Sequence, residues 1–148
     1  AIAPGLVGSE MCIRDRFFRF DLPVSFHVDV LTMRMLSAAA KPGDLFFMIS
    51  HTGRTKAIID AADDAQANGA KVVGLTTPGS MLAKKSNFAL EVSVSENTEE
   101  YMAMTSRIVH LVILDVLATG FILRKGPDFL NHMEKINRSL KPTRYKNN

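Results

Sequence analysis

Three short apolar runs, at residues 44–49, 71–76 and 88–92, predict the strands of a sheet. The first two are nearly continuous in apolar residues, which is typical of strands buried on both faces of a parallel sheet. A further strand is predicted at 23–28, where apolar and polar residues alternate. The pattern therefore indicates four short strands in succession along the chain.

The segments between and after the strands predict helices. Apolar residues recur at helical spacing over 30–40 and 55–68. A short helix is predicted near 80–84, a long one over 99–124 and a last one over 128–140. Because strands that alternate with helices form βαβ units, the fold class is predicted to be α/β, a three-layer α/β/α sandwich with a parallel sheet.

Residues 1–16, with the sequence AIAPGLVGSEMCIRDR, follow neither pattern. Their second half, GSEMCIRDR, resembles a translated sequencing adapter, and the alternative is an ordinary irregular N-terminus. The predicted domain therefore covers residues 17–146, and no function is assigned to the residues before it.

The composition is that of one soluble globular domain. The chain has 148 residues, of which 47% are apolar and 22% are charged. Cys12 is its single cysteine, so no disulfide can form within the chain. Its four histidines have no metal-ligand spacing, and we therefore predict neither a metal nor a cofactor.

Two segments bear on membrane and nucleic-acid partners. Residues 108–123 are the most apolar stretch, but they are short for a membrane span and contain Asp115, which is costly in lipid. No membrane partner is therefore predicted, and a helix that is buried or faces a second subunit explains the stretch better. Residues 124–148 hold seven basic and two acidic residues, which suits either a nucleic-acid contact or a solvated helix face.

The segment from Ser50 to Lys56, SHTGRTK, carries the most chemistry. It follows a predicted strand and precedes a predicted helix, so it lies at the carboxyl edge of the sheet, where open α/β folds bind ligands. The helix aims free N–H groups and its positive dipole end at this loop, and Gly53 lets the backbone curl around an anion. Hydroxyls and positive charge come from Ser50, Thr52, Thr55, Arg54 and Lys56. The segment therefore predicts a phosphate site.

Two nucleotide-binding motifs are excluded, because the segment contains neither G-x-x-x-x-G-K-[ST] nor G-x-G-x-x-G. A loop rich in hydroxyls instead suits one phosphate on a small molecule. The alternative is that Thr52 or Thr55 merely caps the helix.

The segment resembles the phosphosugar-binding loop of the sugar isomerase (SIS) domain, and the wider chain resembles the SIS half of RpiR-type transcription regulators. Within that family the resemblance is to the hexose-regulon repressors, and it extends from Phe17 to near Lys146. The phrases that carry it are FFRFDLPV (17–24), MISHTGRTK (48–56), YMAMTSR (101–107) and DVLATGFILRKG (115–126).

The resemblance implies a SIS-type, flavodoxin-like domain of a cytoplasmic regulator of carbohydrate metabolism. It implies a sugar-acid phosphate effector, such as 2-keto-3-deoxy-6-phosphogluconate, whose binding lowers the affinity for DNA. It also implies a homodimer with the pocket near the subunit interface. The residues it implies for the phosphate are Ser50, Thr52 and Thr55 through hydroxyls, and Gly53 and Arg54 through backbone N–H groups.

Two features depart from the family pattern. The family's first strand ends in a glycine-rich loop with a second phosphate-binding serine. Gly5 to Ser9 echoes that loop, but the connection to Phe17 is shorter than the family's helix, so Ser9 is not assigned. The family's N-terminal helix-turn-helix domain is absent from this sequence, so we expect the chain to sense the effector and to contact DNA only through that missing domain.

Two further groups of polar residues lie near the predicted site. Thr76, Thr77 and Ser80 follow the next predicted strand, where they either contact sugar hydroxyls or form the turn and cap the short helix. Glu96, Glu99 and Glu100 precede the long helix, as favourable first-turn charge or as carboxylates that reach the pocket.

His51 decides between two functional classes. SIS isomerases move protons with His and Glu, which requires a base within hydrogen-bond reach of the substrate. Proton transfer by His51 would make the chain a phosphosugar (aldose-ketose) isomerase. A local hydrogen-bonding or packing role leaves the chain a sensor rather than an enzyme, which is the favoured interpretation, and His51 is then predicted to be one of the ligand-binding residues.

Overall fold

The computed structural model of the protein describes residues 17, 20, 22–95 and 104–140. It contains a sheet of three parallel strands, β1 (Leu45–Ser50), β2 (Lys71–Thr76) and β3 (Phe88–Glu91), in the order β1-β2-β3. The three apolar runs therefore form the strands predicted for them. A helix connects each strand to the next, which is the βαβ arrangement that the sequence predicts.

The predicted helices are all present in the part of the chain that the structure describes. They are α1 (Val30–Ala38), α2 (Lys56–Ala67), α3 (Met81–Lys85), α4 (Thr105–Lys125) and α5 (Pro127–Leu140). Asp29 caps α1 by accepting the backbone N–H of Thr32 at 2.7 Å, and this bond holds the pKa of the Asp29 carboxyl below its usual value. The predicted start of the long helix, at residue 99, lies outside the described residues.

The strand predicted at 23–28 is not formed. Residues 22–29 belong to no sheet and lead directly into α1. Alternating side chains suit a pleated backbone, but a strand also needs a neighbour whose N–H and C=O groups face its own. None of the described residues supplies that neighbour. Phe26 of this segment instead packs against the core on the α4 side of the sheet.

One face of the sheet is covered by α1, α2 and α3. Phe46 and Met48 of β1 are buried on this side together with Val72 of β2. Most of the α2 residues that meet them are alanines, and a short side chain lets the helix approach the strands closely. The buried members of this core are Met33, Phe46, Met48, Ile58, Ala61, Ala62, Ala65, Ala70, Val72 and Leu82.

The other face of the sheet is covered by α4. Leu75 of β2 and Leu114 of α4 are its buried centre, and Phe47 and Ile49 of β1 pack around them. The buried residues of α4 recur every four positions, as one helix face requires: Ser106, His110, Leu114 and Ala118. Helices on both faces of a parallel sheet confirm the predicted three-layer sandwich.

A second apolar surface runs along the outer side of α4. Ile108, Val112 and Val116, one turn apart, are 61%, 56% and 66% exposed, and we call them the α4 outer stripe. The helix has 21 residues and is long and apolar enough to cross a membrane. The apolar run 108–123, which is short for a span, lies within this longer helix, and the helix meets the membrane criterion by length and composition alone. The opposite side of α4 packs on the sheet, so the helix forms one layer of the sandwich.

Phe20 joins the start of the domain to its last two helices. Its ring stacks on Phe121 of α4 with 4.7 Å between the centroids, and it lies 5.9 Å from the ring of Phe129 in α5. Phe17 meets Phe20 edge-on at 5.4 Å. Aromatic pairs at these distances pack favourably, so these two residues of the phrase FFRF serve the fold.

Candidate functional site

The strand register brings two loops together at the carboxyl edge of the sheet. Ser50, the last residue of β1, pairs with Thr76, the last residue of β2. The loop 51–55, which leads to α2, therefore starts beside the loop 77–80, which leads to α3. This is the edge at which open parallel sheets bind ligands, as the sequence predicts for this segment.

A cleft of about 470 Å³ lies between the two loops, a size typical of small-molecule sites. Three of the predicted ligand residues, His51, Thr52 and Arg54, line it. Lys84 of α3 also lines it, although the sequence analysis does not single this residue out. The complete lining is His51, Thr52, Arg54, Thr77, Pro78, Gly79, Ser80, Met81, Lys84 and Val94.

Several predicted residues hold the two loops against each other. Gly53, Thr76 and Ser80 make these contacts, Ser50 accepts the Gly53 N–H within the first loop, and we call the four residues the interloop network. The Thr76 and Ser80 hydroxyls lie 3.0 Å apart, and the Leu82 N–H donates to the Gly53 carbonyl at 3.1 Å. Of the four, Ser80 also lines the cleft. The network fixes the distance between the two walls of the cleft.

Gly53 has a packing role that differs from the predicted one. Its N–H, expected to face an anion, donates to the Ser50 carbonyl and to the Ser50 hydroxyl, each at 3.2 Å. Its φ is +58°, in the left-handed region, and a Cβ here would overlap the hydroxyls of Ser80 and Thr76. Glycine is therefore required because the second loop approaches the backbone so closely.

Thr76 is fully buried, with no exposed surface to offer a ligand. Its hydroxyl contacts the Ser80 hydroxyl and donates to the His51 carbonyl at 3.4 Å. Ser80 caps α3, since its hydroxyl accepts the Ala83 N–H at 3.2 Å. These contacts match the alternative that the sequence left open for both residues, a turn-forming and capping role.

The start of α2 keeps free donors near the cleft. Thr55 is its N-cap residue, but the Thr55 side chain makes no capping hydrogen bond. The alternative that Thr55 merely caps the helix through its hydroxyl is therefore not what the structure shows. Among the described residues, no protein group accepts the N–H groups of Arg54, Thr55 and Lys56. Such donors at a helix start favour an anion.

Basic side chains near the cleft differ in their pairing. Lys56 forms an exposed ion pair with Asp60 at 2.7 Å, one turn along α2. Arg54 and Lys84, which line the cleft, form no ion pair with any described residue. The cleft therefore presents positive charge that the described part of the chain leaves uncompensated.

His51 is one of the residues that line the cleft. Its Nδ1 is buried and has no hydrogen-bond partner among the described residues. The ring centroid lies 6.1 Å from that of His110, a buried residue of α4 that the sequence analysis missed. A buried nitrogen without a partner is rare, so His51 has hydrogen-bonding capacity to offer to a ligand or a water.

The acidic candidates of the sequence do not line the cleft in the part of the chain that the structure describes. Glu96, Glu99 and Glu100 lie outside the described residues. Within the described ranges, no group of three His, Cys, Asp or Glu could hold a metal ion. No carboxylate lines the cleft in that part of the chain, and the nearby Glu91 carboxylate accepts the Gly79 N–H at 3.4 Å.

The fold and the site define a class: an α/β domain with a parallel sheet and a cleft at the carboxyl ends of its strands, whose donors and positive charge suit an anion. Comparison with known families gives the particular one. The SIS domain family matches residues 21–120, and the chain belongs to that family. The expectation drawn from the loop and the four phrases is thereby confirmed.

Two curated relatives are transcription regulators. The HTH-type transcriptional regulator HexR of Pseudomonas aeruginosa is 53% identical over 88% of this chain, and that of Escherichia coli is 40% identical over 88%. The chain spans 46% and 45% of the lengths of these relatives.

A solved structure shares the fold over nearly the whole chain. The Vibrio vulnificus NanR protein complexed with ManNAc-6P has a TM-score of 0.82 and 24% identity, and the match covers 98% of this chain and 56% of that one. At this level of identity the similarity supports the fold.

Proposed function

We propose that this chain is the phosphosugar-sensing effector domain of a HexR-like, RpiR-type transcription regulator of carbohydrate metabolism. The observation that carries the proposal is the cleft between the two loops. At the start of α2, N–H groups that no described residue accepts lie beside Arg54, which forms no ion pair with a described residue. Preorganised donors and positive charge at a helix start are what a phosphate group requires.

The phosphate lies over the loop 51–55, near the start of α2. Arg54 and Thr55 offer backbone N–H groups, and Thr52 and Thr55 offer hydroxyls. Ser50 contributes more weakly, because it is 9% exposed and its oxygen already accepts the Gly53 N–H, although its own proton remains available. Gly53 offers its N–H only if ligand binding breaks its bonds to Ser50. Thr76 supports the loop through its hydroxyl, which donates to the His51 carbonyl and contacts the Ser80 hydroxyl.

The proposed effector is a sugar-acid phosphate such as 2-keto-3-deoxy-6-phosphogluconate. Support comes from the similarity to the HexR regulators and from the NanR structure, which holds ManNAc-6P on the same fold. DNA recognition belongs to a helix-turn-helix domain outside these 148 residues, in keeping with the portion of the HexR relatives that the chain spans. The regulator would act in the cytoplasm.

A phosphosugar isomerase is the second candidate, because His51 lines the cleft with an unpartnered nitrogen. Two observations favour the sensor. The curated relatives reported above are regulators, and no carboxylate among the described residues lines the cleft to act with His51. Turnover of an aldose or ketose phosphate that disappears in His51→Ala would reverse this preference.

Binding of the effector is tested by thermal unfolding with and without 2-keto-3-deoxy-6-phosphogluconate. At 100 times its Kd a ligand stabilises the fold by about 2.7 kcal/mol. We expect Arg54→Gln and Thr55→Val to remove most of this stabilisation while the melting temperature without ligand stays the same. Arg34→Gln, an exposed charge change on α1, is the control and should keep the full effect. An unchanged ligand effect in both loop variants would contradict the site.

We further propose that the α4 outer stripe is the contact between two copies of the chain. An exposed apolar row of this kind is typical of a subunit interface, and α4 already uses its other side for the core. Val112→Glu combined with Val116→Glu is expected to convert a dimer to a monomer in analytical ultracentrifugation. Ala38→Glu, at an exposed position at the end of α1, should leave the dimer intact. A wild-type monomer at all concentrations would contradict the proposal.

A further inference from the structure

Two neighbouring lysines of α3 differ in their pairing with carboxylates, and the difference follows from the side of the helix on which each lies. Ser80, Met81 and Lys84 line the cleft, whereas Leu82 and Ala83 are buried. Residues three and four apart share one face of a helix, so Lys84 is held on the same side as Ser80 and Met81.

The adjacent Lys85 serves a different purpose. Its ammonium group pairs with Asp63 of α2 at 2.5 Å, and its carbonyl accepts a hydrogen bond from the Gln66 side chain. Lys85 therefore fastens α3 to α2. Lys84 has no such role in the described part of the chain, and its charge remains available to the cleft.

The two cleft cations that pair with no described carboxylate lie on opposite sides of the cleft. Arg54 belongs to the loop before α2, where the proposed function places the phosphate, and Lys84 belongs to α3, across the interloop network. On the same side of the cleft as Lys84, Pro78 and Met81 present apolar surface, which suits the carbon chain of a ligand. A ligand with a single anionic group at the start of α2 would leave Lys84 unmatched.

We infer that the cleft takes a ligand with two anionic ends, a phosphate at the loop 51–55 and a carboxylate at Lys84, and that Lys84 is the residue that distinguishes sugar-acid phosphates from neutral sugar phosphates. A single ammonium charge matches a carboxylate monoanion, and a charge-assisted hydrogen bond between them is stronger than one to a hydroxyl. This inference rests on the proposed function, since it assumes that the phosphate is bound by the first loop.

The test compares two probes that share an open six-carbon chain and a terminal phosphate. The probe 6-phosphogluconate carries a carboxylate at C1, and glucitol 6-phosphate carries an uncharged hydroxymethyl group there. Calorimetric titration of the wild-type chain should show that the acid binds roughly tenfold more tightly or better.

Lys84→Gln should weaken binding of the acid until both probes bind within about threefold of each other, a residual difference that corresponds to less than one kcal/mol. Its affinity for glucitol 6-phosphate should be unchanged. Lys85→Gln removes the same charge from the next position and should keep the preference for the acid.

The outcomes separate the inference from the proposed function. Equal wild-type affinities, a preference that survives Lys84→Gln, or an equal loss for both probes in that variant would each overturn the role of Lys84 while phosphosugar binding stands. Failure of the wild-type chain to bind either probe would overturn the inference about Lys84, and the thermal unfolding test with 2-keto-3-deoxy-6-phosphogluconate then decides whether the proposed function stands.

Discussion

Two sets of polar residues in and beside the same pair of loops behave in opposite ways. The interloop network of Ser50, Gly53, Thr76 and Ser80 satisfies its hydrogen-bonding groups largely within the chain. The cleft residues Arg54 and Lys84, only a few positions away, make no ion pair with the described residues. Residue type does not separate these roles, since hydroxyls occur in both loops. The two sets differ in their partners: the network residues bond to other groups of the protein, whereas the cleft residues are available to a ligand.

Gly53→Ala should give the largest effect on the network. The left-handed φ and the overlap with the hydroxyls of Ser80 and Thr76 together predict a loss of roughly 2–4 kcal/mol in the free energy of unfolding. Urea denaturation measures it.

Gly79→Ala is the matched control for Gly53→Ala, because Gly79 also has a left-handed φ, of +68°, but a Cβ there meets nothing within 4 Å. It should cost only about 1 kcal/mol, the backbone part of the effect. Equal losses in the two variants would show that the close approach of the loops contributes nothing to stability.

Thr76→Val should give a smaller loss. It keeps the shape of the side chain but removes the hydroxyl that contacts Ser80 and the His51 carbonyl, which predicts a loss of about 1–2 kcal/mol in the free energy of unfolding. Thr52→Val makes the same chemical change on the cleft surface and should alter stability by less than about 0.5 kcal/mol. If Thr52→Val proved the more damaging of the two, the division between network and cleft would be wrong.

The sequence predicted the parts of the fold that depend on local pattern. The three apolar runs and the helices between them appear where expected, because burial on both sides of a sheet leaves a continuous apolar signal. The strand at 23–28 failed, because pairing depends on a neighbour that local alternation does not reveal. The long helix α4 ends one residue beyond the predicted residue 124, and its predicted start at residue 99 lies outside the described residues.

The candidate site was predicted in position but less well in detail. The segment 50–56 was located by its place between strand and helix. Arg54 lines the cleft, whereas Thr76 bonds within the protein. This difference depends on how the two loops pack against each other, which is set by the strand register. Lys84 was missed, although its spacing from the predicted cap Ser80 places both on one helix face. His110 was missed because a contact over 59 positions along the chain leaves no local signal.

The hydrogen bonds accepted by the His51 carbonyl determine which parts of the site can change without disturbing the fold. It accepts hydrogen bonds from the Thr77 N–H at 2.9 Å and the Thr77 hydroxyl at 2.6 Å, in addition to the Thr76 hydroxyl. The main chain at position 51 is thus anchored by the end of β2 and the first residue of the following loop, whatever side chain position 51 carries. A lineage or a protein engineer can therefore exchange the groups at positions 51, 52 and 54 and obtain a different ligand preference on an unaltered scaffold.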